Sequence, residues 1–331
     1  MAPQASELLI NIWGVILILM LFMYVALDGF DLGVGMLSLM ARDEHQKTQM
    51  MHSLGGVWDA NETWLVLLGG ALFGAFPLAY AALLQALYVP VLMMLFGLIF
   101  RGVAFEFRSY AKHPAVWVIA FGIGSLLTVL AQGLVLGGLL SGLPLSESGV
   151  IAVFARLTSF SLITVALLIA GYTLLGASYL LCKTNGQLRD SAAVWIWRSA
   201  MLLILLLFTL IIASPLMTPY VVERWAAAPF FYVMLATGLG IAFTMMLWSL
   251  KQQRYSIPFL WSLVCLFLVL AGLMSSHYPF IIPGVMTLQS AASSAKTLEF
   301  MLYAEGGLLP VILIYNGYQY YALRGAAGED Y

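Results

Sequence analysis

Charge is what this sequence has least of. Of its 331 residues only 9% are Asp, Glu, Lys or Arg, against 63% hydrophobic ones, and the mean hydropathy is +0.98. A soluble globular chain carries roughly 25% charged residues, so this composition excludes one and leaves an integral membrane protein. The net charge of −1 removes a nucleic-acid role. Two cysteines, Cys182 at the polar end of one apolar run and Cys265 in the middle of another, make no disulfide framework and read as small packing residues. Only four histidines are present, and His45, His52, His113 and His277 all fall in loops or at the ends of apolar runs. HExxH, CxxC and CxxCH are absent, so the residues alone provide no haem or metal site in this chain. The first residues, MAPQASELLINIW, carry Glu7 and no Lys or Arg before the apolar run. A secretory signal needs a basic start, so this run is read as a retained first transmembrane helix.

What the chain does have is long apolar runs. Continuous apolarity without alternation predicts helices rather than barrel strands. Nine spans are expected, near 8–27, 52–76, 78–100, 114–140, 157–181, 194–213, 229–250, 257–276 and 300–323, forming a single all-α membrane domain over 1–331. Basic residues set the orientation. Arg42, Lys47, Arg101, Arg108, Lys112, Lys183, Arg189, Arg198, Lys251, Arg254 and Arg324 fall on one side, and only Arg156, Arg224 and Lys296 on the other. That imbalance predicts an N-terminus outside and a cytoplasmic C-terminus, which requires an odd number of spans. The connections 28–51, charged and cytoplasmic, and 278–299, external and Ser/Ala-rich, are expected as the longest loops.

Against this apolar background the carboxylates stand out. Span one ends in YVALDGFDLGVG, with Asp28 and Asp31 three apart and so on one helical face. The stretch VWDANETW places Asp59 and Glu62 at the same spacing on the antiparallel neighbour, beside Trp58 and roughly 10 Å inside the span at 1.5 Å per residue. Asp28 and Asp31 are expected at the water boundary, where a solvated helix end bonded to the turn at Gly29, Gly33 and Gly35 would account for them. Asp59 and Glu62 are expected deeper, among apolar neighbours. Together the four suggest a cytoplasmic proton funnel, since intramembrane carboxylates are expensive to keep and usually functional. In LIFRGVAFEFRSY the arginines Arg101 and Arg108 are explained by positive-inside anchoring, and Glu106 by pairing with a nearby arginine. Gln132 and Glu305 are lone polar groups within spans, and Gly122, Gly124, Gly137–Gly138 and Gly306–Gly307 mark close helix packing. A proton-coupled secondary transporter could use the same carboxylates, although no pair of spans is plainly interrupted as transporter sites usually are.

DGFDLGVGML, WDANETWLVLLGGALFGAFPLAYA and RGVAFEFR together resemble subunit II of the cytochrome bd-type quinol oxidases. The agreement is specific over about 27–108 and extends through YPFIIPG and SAASSAKTL. NETWL and the RGVAFEFR ending resemble the cyanide-insensitive branch. The resemblance implies a nine-span, non-haem subunit in the bacterial cytoplasmic (inner) membrane among its lipids. Its partner is a haem-bearing subunit I, in a heterodimer that oxidises quinol and reduces dioxygen to water. It implies haem b and haem d (or a third haem b) on subunit I, none bound by this chain alone, and leaves room for a structural quinone and a small accessory subunit. Residue by residue, the family's tryptophan–aspartate pair on the proton route corresponds to Trp58–Asp59. Glu106 matches an acidic position of a second route, where Tyr110 replaces the lysine of some relatives.

Overall fold

The N-terminal run winds into one helix, α1 (Pro3–Ser38), about 54 Å long at 1.5 Å per residue. It does not stop at Leu27. The segment expected as a glycine-rich turn continues as helix because its glycines are contact points for a neighbour rather than places for the chain to bend. A computed structural model describes residues 3–41, 43–108, 110–141 and 159–322. Arg42, Arg156 and Arg324 of the charge count, the first two residues of the span at 157–181 and Leu323 lie outside the described residues.

The expected cytoplasmic loop is therefore short. After Ser38 a turn leads into α2 (Glu44–Leu54), whose N-terminus is capped by Asp43 accepting from the Gln46 amide at 2.7 Å. The span predicted from His52 begins instead at α3 (Trp58–Ala75), after a break at Gly55–Val57. Phe76 then separates α3 from α4 (Pro77–Arg108), which runs on past Phe100 and takes RGVAFEFR into the helix. Within α4, Leu87 leaves helical geometry at φ −119°. Pro90 explains this kink, because its ring displaces the preceding turn and it has no amide hydrogen to bond back.

The remaining long helices are α5 (Pro114–Leu140), α6 (Ser159–Lys183), α7 (Gly186–Met217), α9 (Pro229–Lys251), α10 (Ile257–His277) and α12 (Ala295–Ala322), with the short α8 (Tyr220–Ala227) between α7 and α9. Two of these correct the expected ends, α7 starting eight residues earlier than Val194 and α12 five earlier than Phe300. The loop at 278–299 is also structured. It holds an antiparallel pair, β1 (Phe280–Ile282) and β2 (Met286–Thr287), and one turn of helix, α11 (Leu288–Ala291). The Ser-rich run after it closes two helix ends at once. Ser293 donates its amide to Ala75 O at 2.8 Å and its hydroxyl to Gly74 O at 2.7 Å, covering the open carbonyls of α3, while Ser294 Oγ accepts from the Thr297 amide to start α12.

Helix α1 is the central post, packing on α3, α5 and α6, with α4 against α5 and α6 against α7. Two apolar cores meet along it, one around Trp13, Met20, Trp64 and Phe76, the other around Phe30, Leu37, Phe121 and Leu180. The closest crossing is α1 on α6. A Cβ built on Gly33 would lie 1.9 Å from Tyr172 O, and one on Gly176 would lie 2.5 Å from the Gly33 carbonyl carbon. Gly122, Gly124 and Gly137 also sit against neighbouring helices, whereas Gly307 has nothing near it and Gly306 meets only the Leu302 side chain of its own helix. Eight helices among the described residues are long and apolar enough to cross a membrane. Helix α3 falls outside that group, its first two turns being WDANET.

Candidate functional site

The continuation of α1 decides where its carboxylates go. Asp28 and Asp31 are not at a water boundary. They are 0% and 1% exposed, facing α3 and α4. Arg101, expected as a surface anchor, is equally buried and reaches them from α4. Its Nη1 lies 2.6 Å from Asp28 Oδ1, off the direction of its N–H bonds, and its Nη2 donates to Glu62 Oε2 at 3.1 Å. Asn61, next to Glu62 on α3, donates to Asp31 Oδ2 at 2.9 Å and accepts from the Tyr320 hydroxyl of α12 at 2.6 Å. One turn further along α3, the Trp64 indole donates to Asn316 Oδ1 of α12 at 3.0 Å. Four helices thus converge on one polar knot, and the three-residue spacings Asp28/Asp31 and Asn61/Trp64 put each pair on one face.

Electrostatically the knot is unbalanced. Among the described residues Asp28, Asp31 and Glu62 stand against one cation, Arg101. Ions taken out of water are tolerated when they are paired, and here carboxyl groups outnumber the cation. Asp31 Oδ1 accepts no hydrogen bond of good geometry among the described residues. Such a composition can hold and pass protons. Glu62 differs from the others in keeping 28% of its side chain exposed, so it is the member that touches the outside of the chain.

The other predicted residues stand apart. Asp59 is exposed in the first turn of α3, where a carboxylate is favoured by the open amides of the helix start. Its expected burial among apolar side chains is not found. Trp58 is half-buried, its ring 5.3 Å from that of Phe105. Glu106 is exposed on α4, and Arg108 donates to Thr48 Oγ1 of α2 at 2.5 Å. Burial is the reverse of the expectation: Asp28 and Asp31, read as solvated, are enclosed by the chain, and Asp59, read as surrounded by apolar side chains, is exposed.

Sequence reasoning missed Asn61, Tyr320 and Asn316. Asn61 sits inside the stretch that drew attention, but an amide carries no charge to mark it, and nothing local ties α12 to α3. Gln132, noted only as a lone polar group, bridges two hydroxyls, donating to Tyr24 at 2.6 Å and accepting from Tyr172 at 2.7 Å. Gln132→Leu should remove this bond from both hydroxyls and lower stability by about 1–3 kcal/mol, read as a fall in the thermal midpoint of the purified complex. At the far end of the bundle, His277 is buried and its Nδ1 lies 2.8 Å from the Tyr220 hydroxyl. His45, His52 and His113 are exposed in or beside α2 and α5. Among the described residues no three His, Cys, Asp or Glu side chains stand close enough to hold a metal ion.

The family model for cytochrome bd terminal oxidase subunit II matches residues 9–323. The chain belongs to that family. It is 28% identical to the cytochrome bd-I ubiquinol oxidase subunit 2 of Escherichia coli K12, over 98% of this chain and 96% of that one. It is 26% identical to the cytochrome bd ubiquinol oxidase subunit 2 of Bacillus subtilis 168, over 95% of each. The fold superposes on the structure of bd oxidase from Geobacillus thermodenitrificans with a TM-score of 0.78, at 19% identity, covering 93% of this chain and 96% of that one. As a bd-family subunit II, the chain is a membrane protein and part of a quinol:oxygen oxidoreductase complex. The family implies a subunit I partner and places haems there. Nothing in these likenesses supports the transporter reading of the same carboxylates.

Proposed function

We propose that this chain stabilises the haem-bearing subunit I and conducts protons to it from the cytoplasm for the reduction of dioxygen to water, with quinol as reductant. The observation that carries the proposal is the buried knot of Asp28, Asp31, Glu62 and Arg101, in which carboxyl groups exceed the cation and one member reaches the surface. Asp59 collects protons at the exposed start of α3, beside Trp58. Glu62, one turn on, takes them inward to the Asp28–Arg101 pair and then to Asp31, with Asn61 and Tyr320 holding the last carboxylate in place. Glu106 marks the mouth of a second, weaker route on α4. In this reading α3 is a ninth span, its polar turns facing the partner and the cytoplasm rather than lipid. The N-terminus is then outside and the C-terminus inside, in the bacterial cytoplasmic membrane. Haem b and haem d (or a third haem b) reside in subunit I, and a structural quinone and a small accessory subunit complete the complex in some relatives. The likeness of NETWL and RGVAFEFR to the cyanide-insensitive branch supports assignment to that branch.

Asp59→Asn and Glu62→Gln test the route. Each should lower oxygen consumption by roughly a hundredfold, the low end of what a positioned proton-transfer group contributes, with the haem difference spectrum of the complex unchanged. Normal turnover in both variants would leave a scaffold and no proton route.

A further inference from the structure

Away from the polar knot, the end of α6, the start of α7, the end of α9 and the connection from α9 to α10 line an open crevice of about 310 Å³, at the small end of the range for ligand clefts. Two cations line it, Arg189 and Lys251. Neither has a carboxylate within ion-pairing distance among the described residues. Each is held over an aromatic ring instead. The Arg189 guanidinium carbon lies 4.4 Å from the Tyr255 ring centre, with its Nε donating to Thr184 O at 2.7 Å, and Lys251 Nζ lies 5.8 Å from the Trp197 ring centre. Contacts to ring faces and to a carbonyl orient these side chains without neutralising them. Asp190 lines the same crevice, so two cations and one carboxylate leave it a net charge of +1. Along α7 the lining passes from Arg189 and Asp190 near the helix start to Ala193, Val194 and Trp197 further into the span.

We infer that this crevice binds the phosphodiester headgroup of an anionic phospholipid. Its single excess positive charge matches one phosphodiester, and the apolar lining that follows along α7 suits the glycerol and first acyl carbons, which a free phosphate lacks. Basic pockets between membrane helices recognise such headgroups, and each Lys or Arg near the surface contributes about 1 kcal/mol. The site is independent of the proton route, and none of its residues belongs to that route.

The test uses the assembled oxidase in phosphatidylcholine nanodiscs doped with phosphatidylglycerol, with retained phosphatidylglycerol counted by native mass spectrometry. The double variant Arg189→Gln/Lys251→Gln should bind phosphatidylglycerol roughly 30-fold more weakly, and each single variant about 5-fold. Oxygen uptake and the haem spectrum should match the unaltered complex, separating this outcome from any failure of the proton route. Should the double variant not assemble, Lys251→Gln alone decides between a 5-fold loss and none. Equal retention in all variants overturns the inference. Displacement of the lipid by added inorganic phosphate overturns the lipid assignment in favour of a free anion.

Discussion

Arg101→Met should destabilise the subunit by about 3–5 kcal/mol, the usual effect of removing one partner from a buried ion pair. The substitution keeps an unbranched apolar stem but leaves Asp28 without its cation, in a place where it is 0% exposed. Glu62 can turn toward the surface it already partly faces; Asp28 cannot, because it is fixed to the middle of α1. The loss should appear as a lower thermal midpoint and a reduced yield of complex with an intact haem spectrum. Adding Asp28→Leu to Arg101→Met should restore part of that stability, since a buried pair replaced whole by apolar side chains is often tolerated. If the double variant is no better than the single, the loss arises from packing around Arg101 rather than from a stranded charge.

Gly33→Ala should be nearly as damaging. Its new methyl carbon would sit 1.9 Å from Tyr172 O, and the obstacle is backbone in the middle of another helix, so no rotamer change relieves it. Helix α1 would have to separate from α6 along its whole length. Overpacking of a core costs typically 1–3 kcal/mol and sometimes more; the upper end is expected here because two helices must move. Gly176→Ala, on the other side of the same crossing, should behave alike. Gly69→Ala and Gly171→Ala are the controls. Both positions have open space around an added Cβ, and replacing a helical glycine there should be neutral or stabilising by about 0.5–1 kcal/mol. Thermal midpoints of the four variants check the contrast, and a large loss at Gly69 would point to helix contacts with the partner subunit.

The glycines and the carboxylates of DGFDLGVG explain together why the site was only half legible. Three glycines within seven residues look like a turn, and a turn would put Asp28 and Asp31 in water. On the folded chain Gly29 and Gly33 lie against Tyr172 of α6, so the same residues that suggest a break allow two helices to touch. Helix packing in a membrane rewards small residues for that reason, and local sequence does not distinguish a bend from a crossing. Arg101 was misread by the same limit. Arginine near the end of an apolar run is the usual mark of the cytoplasmic edge, but α4 continues to Arg108, and two further turns of helix carry Arg101 inside. The acidic pair on α3 was easier, since Glu62 takes part in the knot as its placement among apolar residues suggested, while Asp59 sits where the helix start favours a carboxylate.

By itself, the sequence determined the membrane class, the helical architecture and the family, and it singled out the carboxylates of α1 and α3 as candidates. Those follow from composition and from short motifs, quantities that survive without knowing which helix touches which. Only the tertiary structure decided that Asp28 and Asp31 are interior, that Arg101 is the counter-ion of Asp28, and that Asn61 and Tyr320, 259 residues apart in the chain, complete the site. Burial and ion pairing depend on where helices cross, and crossings are set by surface complementarity between segments distant in sequence.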